Sequence, residues 1–113
     1  MPTAQFIQDG LNIDHSPGSD VIAGDVIVQG DLIGIAKIDI PANTLGALAT
    51  TGVFDVPKTT GVGEAIPAGT KVYWDEGDQV AKEDAEAGAN KYLGKTTLSA
   101  GDNDTTTRVK LEQ

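Results

Sequence analysis

The chain contains no cysteine. That absence excludes disulfides, thiolate zinc sites and cysteine nucleophiles. Histidine occurs once, as His15, so no pair of imidazoles can hold a metal, and a hard cation would find only carboxylates. Aromatic residues make up 4% of the 113 positions, which leaves few large anchors for a core. Basic residues are also scarce, 8 against 17 acidic ones, for a net charge of −9. A phosphate backbone needs a Lys/Arg face, and an anionic membrane attracts polybasic segments. Neither nucleic acid nor membrane is therefore expected as a direct partner. No apolar run approaches membrane length and the first residues lack a basic signal region, so synthesis in the cytoplasm is expected.

What the sequence does have is turns and β-branched residues. It holds 14 glycines and 5 prolines. The densest Val and Ile content lies in residues 20–40, D-V-I-A-G-D-V-I-V-Q-G-D-L-I-G-I-A-K-I-D-I. Stiff β-branched side chains suit a pleated, half-buried strand. The pattern predicts strands over 25–29 and 32–38 with a tight turn at Gly30-Asp31. Val26 and Val28 then share one face, with Ile27 and Gln29 on the other.

Further strands are expected over 11–16, 44–50, 53–56, 71–74, 79–81, 91–98 and 105–111. In the last of these, Val109 and Leu111 oppose Arg108 and Lys110. Residues 82–89 carry helix formers but are too few and too polar for a stable helix, so an exposed turn or a single helical turn is expected. Ala23-Gly24-Asp25, Ala68-Gly69-Thr70 and Ala100-Gly101-Asp102 reuse one turn chemistry at irregular spacing. The fold class is all-β: a small single-domain β-barrel or β-sandwich of about eight short strands over 9–113, preceded by an N-terminal arm over 1–8.

The search for chemistry is mostly negative. Residues 61–71, G-V-G-E-A-I-P-A-G-T-K, invite a phosphate-loop reading. The order Gly69-Thr70-Lys71 is wrong for one, Pro67 removes an N–H donor, and a strand follows instead of a helix. Asp75, Glu76 and Asp78 crowd one turn without the spacing of a calcium loop. No catalytic residues and no metal ligands emerge, no cofactor is implied, and the chain is not expected to be an enzyme. Trp74 and Tyr73 alternate on a strand, so one faces inward. Trp74 and Phe54 read as core or subunit-interface anchors.

Several segments taken in order carry a resemblance. They are A-G-D-V-I-V…G-D-L-I-G-I-A (23–36), G-V-F-D-V-P-K (52–58), A-G-T-K-V-Y-W-D (68–75), L-G-K-T (93–96) and S-A-G-D…T-R-V-K-L (99–111). Together they resemble the capsid cement, or decoration, proteins of tailed phages, over about residues 6–111. Some members of that family are labelled RecA-like recombinases, a label that the broken phosphate loop and the acidic charge argue against here. The resemblance implies a β-rich structural virion protein, commonly a homotrimer. It implies a place on the outer capsid surface, at threefold and quasi-threefold positions, where it binds the major capsid protein and stabilises the expanded shell. It brings no catalytic residues.

On physical grounds the capsid contact is expected in Thr3, Ala4, Gln5, Phe6 and Ile7, because an extended arm can add a strand to a partner's sheet edge. The same residues could equally form a plain first strand of the domain. Phe54, Tyr73 and Trp74 are the expected subunit-interface residues. The alternative function is a small β-barrel carrier or ligand-binding module without catalytic activity, with Lys58 as its modified side chain.

Overall fold

The computed structural model describes residues 3–5 and 10–113. Among them nine strands are present: β1 (Asn12–His15), β2 (Val26–Gln29), β3 (Leu32–Ala36), β4 (Gly46–Ala49), β5 (Val53–Pro57), β6 (Lys71–Asp75), β7 (Val80–Lys82), β8 (Lys91–Thr96) and β9 (Thr106–Leu111). A single 3-10 turn spans Glu86–Gly88, in the stretch expected to be an exposed turn or a single helical turn. The class is all-β. The strands form two antiparallel sheets, one of four strands in the order β1-β4-β3-β2 and one of five in the order β5-β9-β8-β6-β7.

The β2–β3 hairpin forms as its sequence dictates. Gln29 pairs with Leu32, leaving Gly30-Asp31 as a two-residue loop. Gly30 has φ +62 and Asp31 does not have positive φ, the pattern of a type II′ turn with glycine in its first central position. Alternation then divides the hairpin between two cores. Val26, Val28, Ile33 and Ile35 join the main cluster, while Ile27 and Ala36 join a second one with Val21, Ile40, Leu48 and Ile13. The strand expected over 32–38 ends at Ala36. Beyond it the chain leaves the ladder, because Ala23 donates its N–H to the Asp39 carboxylate rather than to a backbone carbonyl, at 2.8 Å. The chain rejoins at the Val21–Ile40 bridge.

The main core lies between the sheets. Ile33 and Ile35 from one sheet meet Val56, Val72, Trp74, Ala81, Leu93, Val109 and Leu111 from the other. Its makers are aliphatic, as a chain with few aromatics requires. Two polar links tie the sheets at the rim. Gln113 accepts the Ile33 N–H at 2.7 Å and donates its amide to the Tyr92 and Leu93 carbonyls. Lys91 pairs with Asp31 at 2.9 Å. The five-stranded sheet curls until its two edges touch at one parallel bridge, Lys58–Ala81. The ladder does not continue there, so the architecture is two packed sheets and not a closed barrel.

The acidic composition has a structural cause. Asp20, Asp25, Asp39, Asp75, Asp84, Asp102 and Asp104 each accept a backbone N–H in a loop or turn, at 2.8–3.1 Å. Short side-chain acceptors of this kind satisfy donors that no ladder reaches.

Candidate functional site

The residues singled out from the sequence sit in different places. Thr3, Ala4 and Gln5 are exposed and belong to no strand. Phe6 and Ile7 lie outside the described residues. Trp74 is 2% exposed and is central to the main core. Phe54 is half-buried and packs on that core from β5. Tyr73 points the opposite way, onto the outer face of the five-stranded sheet, since successive strand residues alternate faces.

Lys58 is buried, and it is not displayed at a hairpin tip. Its ammonium donates to the carbonyls of Thr59 at 2.7 Å, Gly101 at 2.9 Å and Asp104 at 3.1 Å. Three carbonyls match three N–H donors, so the side chain staples the start of the 59–66 loop to the 101–104 turn. A modified carrier lysine must reach solvent, and this one does not.

The former phosphate-loop candidate is also structural. Ile66 bridges Ala100, and Pro67 and Thr70 carbonyls receive the Thr96 hydroxyl and N–H, at 2.7 and 2.9 Å. Asp75 and Asp78 are engaged by Lys82, both at 2.8 Å. The hydrogen bond from Lys82 holds the Asp75 carboxyl below its ordinary range, and the same contacts raise Lys82. Among the described residues no group of three or more His, Asp or Glu is placed to hold a metal ion. His15 stands on edge strand β1, where Nδ1 meets the Gln29 amide at 2.8 Å.

The outer face of the five-stranded sheet is the surface with the most chemistry on it. Tyr73 and Tyr92 sit opposite each other on β6 and β8, with ring centroids 5.7 Å apart in an edge-on contact. The Tyr92 hydroxyl donates to Glu112 at 2.6 Å. Burial, and then that bond, push the phenol up to about 12, and the hydroxyl in turn pulls Glu112 below the usual carboxylate range. Farther along the same face, beyond Lys95 and Lys110, Arg108 forks onto Asp55 at 2.9 and 3.2 Å. A shallow groove of about 380 Å³ runs between Lys71, Tyr73, Tyr92, Lys95 and Glu112. A groove lined by two tyrosines and flanking charges can hold a partner's side chains.

One signal in the sequence went beyond the Ala-Gly-Asp turns. Ile40-Pro41-Ala42-Asn43-Thr44 and Ile66-Pro67-Ala68-Gly69-Thr70 are near copies, and both isoleucines are buried at an isolated bridge. Each marks where a loop is pinned back onto a sheet.

In a comparison with known families, a family model described as phage cement protein matches residues 7–111. No curated protein and no solved structure matches the chain.

Proposed function

The chain belongs to the phage cement protein family, and from that premise we propose that it binds an expanded phage capsid as a homotrimer at threefold and quasi-threefold positions. Membership makes it a structural phage protein that associates with the capsid and implies a role without catalysis. The finer reading is that it contacts the outer surface of the major capsid protein and holds the shell against internal pressure. The observation that carries it is the family match across almost the whole chain, in a body whose polar groups are spent on turns and sheet links.

In this reading, residues 1–8 act as an arm apart from the β domain of 9–113. Thr3, Ala4 and Gln5 are exposed and free of strand pairing, which suits a segment that adds to a partner's sheet edge. Phe6 and Ile7 would supply its apolar contacts. A small β domain with an aliphatic core gains stability when association covers more of its surface.

The experiment is reconstitution. Purified protein is mixed with expanded capsids that lack it, and the particles are imaged by cryo-electron microscopy. Added density at threefold positions is expected, together with a higher temperature of capsid disruption. A chain lacking residues 1–8 should fold and fail to decorate. Bare capsids after saturation with the intact chain would sink the proposal.

A further inference from the structure

Five of the eight basic side chains, Lys71, Lys82, Lys95, Arg108 and Lys110, stand on the outer face of the five-stranded sheet, and of these Lys82 is already held by Asp75 and Asp78. The register makes the placement unusual. Lys71 lies directly opposite Lys95, Lys95 opposite Lys110, and Lys110 opposite Val53. One row across β6, β8, β9 and β5 therefore reads Lys, Lys, Lys, Val. Directly opposed residues have Cβ atoms about 4.5–5.5 Å apart, and like charges at that distance destabilise a sheet.

Little in the isolated chain relieves the row. Glu112 reaches Lys95 at 3.8 Å, but its closer bond is to Tyr92. Among the described residues neither Lys71 nor Lys110 makes an ion pair. Val53, at the end of the row, is 56% exposed. The face thus combines two lysines without an ion pair, a third that reaches Glu112 only at 3.8 Å, an exposed valine and a pair of half-buried tyrosines. It calls for a partner that brings carboxylates and takes up flat aromatic area.

We propose that this face docks the acidic surface of a second copy of the chain. Charge complementarity argues for that occupant. The face carries Asp55, Asp75 and Glu112 against its five cations, in a chain of net charge −9, so the rest of the chain is more acidic than the whole. Exposed carboxylates are dense along the β7 edge, at Asp78, Glu83, Asp84 and Glu86; Lys82 engages Asp78 at 2.8 Å and Glu86 at 3.8 Å, while Glu83 and Asp84 make no ion pair among the described residues. None of these lines the tyrosine groove, so the cationic and the acidic surfaces are separate patches of one molecule. A contact between two different patches is heterologous, and it closes into a ring when the rotation permits. The inference rests on the homotrimer reading above and names its interface, with Tyr73 inside it; it does not depend on the capsid contact.

Sedimentation velocity on the full chain, without capsids, tests it. The native protein should be oligomeric at low salt and dissociate progressively as salt rises. Lys95→Glu with Lys110→Glu should weaken association by at least about tenfold, because two attractive contacts become repulsive. Lys95→Gln with Lys110→Gln should give a smaller loss, and it keeps the test open if the reversed charges disturb folding. Far-UV circular dichroism and Trp74 fluorescence report that folding. A native monomer at every salt concentration overturns the trimer reading and this one together. A native oligomer that both double variants leave unchanged overturns this one alone. So do variants that still associate but no longer decorate expanded capsids, since the face would then belong to the capsid.

Discussion

Replacing Gly94 by alanine probes the centre of the five-stranded sheet. Gly94 sits on β8 opposite Leu111 of β9. A Cβ there would overlap the Lys110 carbonyl oxygen and stand 2.9 Å from its carbonyl carbon and 3.2 Å from the Leu111 Cα. All three atoms are backbone of the adjoining strand, so no side chain can swing aside. Carbon and carbonyl oxygen of adjacent strands keep about 3.3 Å or more between them, so β8 and β9 would have to part by roughly an ångström. Ladder bonds stretched by that much leave the hydrogen-bonding range. Two or so lost ladder bonds, their buried polar groups, and loosened packing of Leu93 and Leu111 come to roughly 3–5 kcal/mol. With a urea slope of about 1–3 kcal/mol/M, the midpoint should fall by about 2 M. Trp74 is the sole tryptophan and lies in the core beside this sheet, so its fluorescence reports the transition. Gly101→Ala is the control: its added Cβ meets nothing closer than 3.7 Å, and it should stay within about 0.5 kcal/mol of the native chain. A Gly94→Ala protein within about 1 kcal/mol of native stability would refute the close approach of the strands, and with it the β8–β9 register.

Other perturbations follow from single side chains. Lys58→Met strands the Thr59, Gly101 and Asp104 carbonyls, and should cost about 2–3 kcal/mol by urea unfolding; a neutral result would mean that the ammonium is not a staple. Gln113→Ala removes the acceptor of the Ile33 N–H; stability should drop by about 1 kcal/mol, with faster hydrogen exchange at the Ile33 amide while the Ile35 amide stays protected. In a spectrophotometric titration Tyr92 should ionise near pH 12, and Glu112→Gln should bring that step down. A phenol raised in the folded state stabilises it fully below the ordinary tyrosine value of about 10. That contribution is lost as pH rises from there toward the folded value. A tyrosine step unmoved by Glu112→Gln would leave burial as the whole cause.

Local physics made much of the fold legible. Val26 and Val28 do share a face, as do Val109 and Leu111, because a strand's period of two leaves no other arrangement. Gly30-Asp31 closes its hairpin because glycine takes positive φ without a steric penalty. Trp74 inward and Tyr73 outward follow from the same alternation. The strand ends were less legible. Asp39 draws the chain out of the ladder two residues before the Val/Ile pattern stops, and a pattern does not show which N–H its carboxylate will meet. Lys58 followed a proline in a loop-like context, yet it is buried, because the carbonyls that hold it lie more than forty residues further along the chain.

By itself the sequence determined the all-β class, the turns, the aliphatic core, the lack of thiol and imidazole-pair chemistry, and the family. These are properties of composition, of residue order, and of contacts between near neighbours. The tertiary structure alone decided the pairing of β5 with β9, the placement of Lys71, Lys95 and Lys110 in one row, and the need for glycine at position 94. Each depends on the register between strands distant in the chain. Register is set by the packing of whole faces, so no single stretch of residues carries it.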